Sequence, residues 1–374
     1  MRILYGVVGE GMGHATRSRV VLELLLAAGH TVRVVVSGRA HAYLRQSFAA
    51  HSGIAVTEIH GLHLDYSGNA LALGSSLATN LEQAPAGVLR NIAAYQRVAE
   101  DGFAPEVVVS DFESWAYLYA RNHRLPVISI DNMQVINRCT HVQAVTGEAS
   151  LDAFVAKMAV KVKLPGAYHY LITSFFFPKV RKPRTTLLPP ILRPEILAAR
   201  REPGGHVLVY QTSAANTDLV PTLKTLPHEF RVYGMGGAAR DENVTLCPFS
   251  ATGFVDDLRT ARAVIAGGGF SLMGEAVHLR VPMLSVPIGG QYEQELNARY
   301  LRHLGYGDHA ARLDAATVER FLARTDAFAD SLQRYEPGDN GMLAACLGEL
   351  LDRVGLGAPP PARLEARSRG TWEA

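Results

Sequence analysis

Two stretches of this chain hold residue types whose spacing can do chemistry. The first, Gly9-Glu10-Gly11-Met12-Gly13-His14, follows the apolar run 3–8 and leads into a helical pattern over about 15–28. An imidazole titrates near neutrality, so a histidine at the mouth of a helix can take a proton from a hydroxyl at working pH. The competing reading is a histidine that caps or packs the helix start. Asp111 follows another apolar run, 107–110, and so lies at a strand's carboxyl end on the same rim as His14. A carboxylate there would fix the imidazole tautomer and stabilise its charged form. Equally, it would cap the helix that follows, a task aspartate does well.

The second stretch spans residues 263–297. An apolar run ends in Gly267, Gly268 and Gly269, and a helical pattern starts at Phe270 and carries Glu275. A further apolar run, 281–287, leads to a polar cluster of Gln291, Glu293, Gln294 and Asn297. Strand, glycine turn and helix bring bare N–H groups and a helix N-terminus up to an anion, usually a phosphate. Gly268, Gly269, Phe270 and Ser271 would cradle a diphosphate, the helix dipole adding roughly 1 kcal/mol or less at an exposed site. Glu275 lies within two turns and would hold a ribose diol, unless it is a solvated helix carboxylate. The amides of Gln291 and Gln294 suit sugar hydroxyls, unless they form an ordinary polar helix start. Upstream, Phe254 would flank a base and the Val255 backbone would pair with its edge. Core packing is the other reading of Phe254. Thr212 and Ser213, after the first strand of the second half, add phosphate or sugar contacts. Gly11 and Gly13 present bare backbone to the same donor.

These residues need a scaffold that brings strand ends together. With 374 residues the chain exceeds one comfortable core, so two domains are expected. Strand-like runs at 3–8, 31–36, 107–110, 127–130 and 168–173 alternate with helical patterns. Six prolines fall between 178 and 203, a density that resists helix and central strand alike. The alternation then restarts with strand-like runs at 207–210, 230–233, 244–246, 264–266 and 283–286. The fold class is therefore α/β, with two Rossmann-like, doubly wound, mostly parallel sheets facing across a cleft. The expected divisions are an N-terminal domain over 1–180, a linker over 181–203 and a C-terminal domain over 204–340. A last helix and a mobile tail complete the chain over 341–374.

Composition narrows the partners. Hydrophobic residues make up 48% and charged residues 19%, as in a globular protein, and a net charge of +2 does not favour nucleic acid. Cys139, Cys247 and Cys346 have no metal-binding spacing, so no metal and a reducing cytoplasm are expected. The N-terminus does not read as a signal peptide, and no uncharged run is long enough to span a bilayer. The first glycine loop fits a dinucleotide fingerprint poorly, because His14 stands where the third glycine belongs. Arg39 could meet a 2′-phosphate, which keeps an NADP reading open. Residues 153–177 combine Lys157, Lys161 and Lys163 with apolar side chains and the aromatic run Phe175–Phe177. That is either a patch for peripheral contact with the inner face of a membrane or a packed helix with a lysine-rich outer face.

The set Gly268-Gly269-Phe270-Ser271, Glu275-Ala276, Val281-Pro282, Pro287, Gln291, Gln294 and Asn297-Ala298, together with the GxGxGH loop, resembles the GT-B glycosyltransferases. The resemblance covers nearly the whole chain. It lies with the branch of the lipid-II-forming MurG enzyme, the UDP-glucuronosyltransferase-like enzymes and the macrolide transferases. It implies an inverting, metal-independent hexosyltransferase with His14 as base and Asp111 as its partner. It also implies a nucleotide-sugar donor, usually UDP-linked, a small-molecule or lipid acceptor, no resident cofactor, and a last helix folded back onto the first domain. Two departures stand out: Gly267 where many relatives carry histidine, and Gly274 where many carry serine or threonine. The rival readings are a UDP-sugar 2-epimerase on the same fold and a non-catalytic nucleotide-sugar binder.

Overall fold

The structure, a computed structural model, describes residues 1–9, 11–61, 66–67, 70–71, 73–148, 150–211 and 217–364, with backbone alone at 66–84 and 251. The N-terminal sheet has seven strands: β1 (Arg2–Val7), β2 (Thr31–Val36), β3 (Ile54–Glu58), β4 (Val107–Asp111), β5 (Val127–Asp131), β6 (His169–Thr173) and β7 (Thr185–Leu188). All pair in parallel, in the order β7-β6-β5-β4-β1-β2-β3. The sequence shows why: β4 and β5 are buried along their whole length, and strands covered on both faces read as unbroken apolar runs. The order reverses between β1 and β4, and the register places Val7 beside Asp111. Ligands of such sheets bind at that switch point, beyond the carboxyl ends of the strands.

The C-terminal sheet repeats the plan with β8 (Val207–Tyr210), β9 (Phe230–Tyr233), β10 (Ala239–Asp241), β11 (Val244–Cys247), β12 (Ala263–Ala266), β13 (Met283–Ser285) and β14 (Gly307–His309). Its order is β10-β11-β9-β8-β12-β13-β14, parallel except for β10. The glycine turn leaves β12, again beside the switch point.

The proline-rich segment is less of a linker than its composition implies. Thr185–Leu188 forms the edge strand β7, with Pro183 and Pro189 just outside it, where the missing N–H groups cost no ladder bond. Beyond it, Arg193 and Glu195 tie the crossing to both domains: Glu195 accepts from Arg19 at 2.7 Å, and Arg193 forks onto Glu275. Leu343, Cys346, Leu347, Leu350 and Leu351, on the helix Gly341–Gly355, pack into the same core as Ile3, Tyr5 and Val7. The chain beyond that helix is held rather than loose. The Arg184 N–H donates to Ala362 O at 2.7 Å and the Tyr168 hydroxyl to Ala358 O at 2.8 Å. The remainder of the expected mobile tail, 365–374, lies outside the described residues, as do Thr212 and Ser213.

The aromatic run is also placed differently from its sequence expectation. Phe175 and Phe176 are buried and belong to no surface patch. Phe176 stacks on Tyr300 of the C-terminal domain with centroids 3.8 Å apart, and Phe175 on Phe270 at 6.0 Å. These rings are the apolar seam between the domains. Phe176→Ala should lower the unfolding free energy by about 3–5 kcal/mol. A urea titration reads this directly, and a loss under about 1 kcal/mol would contradict the seam's role.

Candidate active site

The loop after β1 turns into a helix, α1 (Met12–Ala27), whose N-cap Gly11 has φ 82°. The helix begins three residues earlier than its apolar pattern indicates, so His14 sits in its first turn. His14, Arg17 and Ser18 are spaced i, i+3, i+4 and therefore share one face. That face meets Asp111, which is fully buried at the end of β4. The Ser18 hydroxyl donates to Asp111 Oδ2 at 3.0 Å, Arg17 Nε to the same oxygen at 3.1 Å, and Arg17 Nη2 to Oδ1. His14 Nδ1 lies 2.8 Å from Asp111 Oδ1. Burial alone would raise the Asp111 pKa. The charges of Arg17 and His14 and their hydrogen bonds outweigh it and hold the group at about 2. Arg17 Nη2, which only donates, also stands 2.9 Å from Nδ1. With Nδ1 protonated toward Asp111, which only accepts, Nε2 is the ring's acceptor. The His14 side chain keeps 24% of its surface open, enough for a second group to reach it.

Asp111 is not a helix cap. Glu113 caps the helix Ser114–His123, its carboxylate accepting from the N–H groups of Trp115 at 2.9 Å and Ala116 at 2.6 Å. Arg17 and Ser18 were passed over in the sequence. Their i+3 and i+4 spacing from His14 was the signal that could have found them.

Across the cleft, the glycine turn leads into α2 (Phe270–His278). Its Gly268 N–H does not face the cleft, because it donates to Gln294 Oε1 at 3.0 Å. The same oxygen accepts from the Ile288 N–H at 3.1 Å, and Gln294 Nε2 donates to Gln291 Oε1. Gln294 is thus a clamp between the turn and the 287–291 loop. A Cβ at position 268 would stand 2.4 Å from Gln294 O, which explains the glycine. The N–H groups of Gly269, Phe270 and Ser271 remain available to an anion, since the helix geometry leaves them without intrahelical partners. The two halves touch here. Ser271 Oγ donates to Gly13 O at 3.0 Å, and a Cβ on Gly13 would lie 2.8 Å from that hydroxyl oxygen. The imidazole and the helix N-terminus are therefore neighbours across a single hydrogen bond.

A family model described as "Glycosyl transferase family 1" matches residues 1–326. The chain belongs to that family. Two uncharacterized glycosyltransferases are similar along most of their length. The one from Methanosarcina acetivorans is 26% identical over 346 residues, covering 85% of this chain and 86% of the other. The one from Methanosarcina mazei is 25% identical over 350 residues, covering 82% and 85%. Among solved structures, a UDP-glucosyltransferase from Polygonum tinctorium superposes with TM-score 0.64 at 14% identity, covering 95% of this chain and 98% of that one. CalG4, the calicheamicin glycosyltransferase, superposes at 0.62 and 16% identity, covering 95% and 99%. At such identities the superpositions show a shared GT-B fold.

In this glycosyltransferase several expected donor contacts are already engaged. Both Glu275 oxygens accept from Arg193, at 2.8 and 2.9 Å, and each keeps one further lone pair for a diol. Phe254 and Val255 lie inside the helix Ala251–Thr260, which uses their backbone groups, so Val255 cannot pair with a base edge through its main chain. The Phe254 ring is buried, packed between Tyr210, Tyr233 and Arg193, as the core reading of it expects. The open ring is Phe249, 66% exposed in the loop after β11, where no local pattern marks it.

A cavity of about 770 Å³ adjoins the turn through Gly267 and is lined by Tyr210, Gln211, Gln291 and Tyr292, with Ser150 and Asp152 from the first domain. His14 does not line it. Among the described residues no group of three His, Cys, Asp or Glu side chains is placed to hold a metal ion.

Glu293, a member of the polar cluster, accepts from Asn297 Nδ2 at 2.6 Å. Burial pushes its pKa up to about 7, against the Asn297 hydrogen bond, and it feels Arg17 and Asp131 across the cleft. A carboxyl raised in the folded state favours folding below its ordinary pKa and loses that contribution as pH climbs through about 7. Glu293→Gln carries no such charge. Its stability advantage over the parent should grow by on the order of 1–3 kcal/mol between pH 5 and pH 8. A pH-independent difference in urea midpoints would contradict the raised carboxyl.

Proposed function

We propose that this glycosyltransferase moves a hexose from a UDP-linked donor to an acceptor hydroxyl by a single in-line displacement, without a metal, with His14 as the base. The observation that carries the reading is the bridge between Ser271 and Gly13. It sets the His14 imidazole beside the N-terminus of α2, so a proton acceptor and an anion grip share one cleft. In this scheme Nε2 of His14 takes the proton from the acceptor hydroxyl as its oxygen attacks the anomeric carbon. Asp111 holds the tautomer and offsets the positive charge that forms on the ring. The bond to the diphosphate breaks on the opposite face, so the anomeric centre inverts. The leaving diphosphate gathers charge against the N–H groups of Gly269, Phe270 and Ser271, which need no reorganisation to receive it. Glu275 and Phe249 serve the ribose and the base, and Glu293 and Gln291 serve the sugar hydroxyls.

His14→Ala should slow transfer by roughly 10²–10⁴-fold. Donor binding, measured by calorimetry with UDP, should change little, because the diphosphate grip lies in the other domain. Near-parental turnover in the purified variant would remove His14 from this role.

A further inference from the structure

The helix Leu151–Lys163, capped by Ser150, lies on the N-terminal domain beside the cleft. One side packs inward. Val160 is buried, its carbonyl accepts from Gln134 Nε2, and the Lys163 ammonium stands 4.1 Å from the centre of the Phe112 ring. The other side carries Leu151, Phe154, Val155, Met158 and Val162, at positions i, i+3, i+4, i+7 and i+11. At one residue per ~100° these five project within an arc of roughly 100°, directly opposite Val160. An amphipathic helix on a globular surface turns such an arc toward the core. Here it faces outward, with exposures from 39% at Met158 to 76% at Leu151.

The basic charges beside the arc gather on one edge. Lys157 and Lys161, one turn apart, border it on one edge and are exposed. They stand near Arg181 and Lys182: burial lowers the Lys182 pKa, and the charges of Arg181, Arg138, Lys161 and Lys157 lower it further. Arg181 and Lys182 are fixed in place by the Asn137 carbonyl and side chain at 3.0 and 2.6 Å. The helix itself carries one acid, Asp152, in its first turn.

We infer that the face formed by Leu151, Phe154, Val155, Met158 and Val162, with Lys157 and Lys161, is a peripheral docking surface for an anionic lipid bilayer. The apolar arc enters the boundary between headgroups and acyl chains, while the lysines meet lipid phosphates. A second copy of the chain is a poorer occupant. A two-fold interface sets the same patch against itself and would bring both lysine pairs together. Among the described residues no helix is long and apolar enough to cross a membrane, so the contact is lateral.

The test is co-sedimentation of the full chain with vesicles of phosphatidylcholine alone and of phosphatidylcholine mixed with phosphatidylglycerol. Binding to the mixed vesicles, weak on phosphatidylcholine and reduced by added salt, is the expected result. The double variant Phe154→Ser/Val155→Ser should weaken partitioning at least ~10-fold. Lys157→Glu/Lys161→Glu should do the same. Both should keep the parental thermal midpoint, since every replaced side chain is exposed. Phe154→Trp adds an independent reading, a blue shift of its emission on the mixed vesicles. The inference is overturned if the parent ignores phosphatidylglycerol, or if the variants bind like the parent. It is also overturned if light scattering shows a parental dimer that Phe154→Ser disperses, which would assign the face to a second copy.

Discussion

The Asp111 carboxylate lies wholly inside the protein, and it stays ionised there because Arg17, Ser18 and His14 surround it. Burying a lone carboxylate would cost several kcal/mol, and the guanidinium fork offsets most of that. Removing Arg17 would leave the charge uncompensated, a loss of about 3–5 kcal/mol in comparable buried pairs. An Nδ1–H donated to the same carboxylate leaves Nε2 of His14 free to accept. Folding energetics and the chemical readiness of His14 thus hang on one group. Its position in turn depends on the parallel pairing of β1 with β4, which sets Val7 against Asp111.

The second domain is registered against that group by contacts of different kinds. Phe175 and Phe176 supply apolar stacking on Phe270 and Tyr300, and the Ser271 hydroxyl supplies one directed bond to Gly13. The crossing segment adds two ion pairs two residues apart, Glu195 to Arg19 in the first domain and Arg193 to Glu275 in the second. The helix Gly341–Gly355 returns to the first core. Phe270 and Ser271 open the helix whose N-terminus faces the cleft, so the seam and the anion grip are built from adjacent residues.

The buried strands were legible because parallel strands covered on both faces are uninterrupted apolar runs. The strands without that signal were missed. Ile54–Glu58 is only half-buried, Ala239–Asp241 is exposed, and Gly307–His309 is three residues long. Thr185–Leu188 was hidden by the flanking prolines, which an edge strand tolerates. In the site, the GxGxGH loop and the glycine turn were readable from glycine spacing and the polarity that follows. What those polar side chains touch was not. Gln294 spends its oxygen on backbone N–H groups, and Glu275 meets an arginine 82 residues away, a pairing that no local pattern encodes. Phe254 and Phe249 illustrate the same limit, since only tertiary packing decides which of two nearby rings is covered.

In the proposed reaction a hydroxyl activated by His14 displaces a diphosphate in one step across this cleft. The most direct measurement is the anomeric configuration of the transferred sugar, read by proton NMR on the product of a donor of known configuration. The single displacement predicts inversion, an α-linked donor giving a β-linked product. A product that retains the donor's configuration would contradict it.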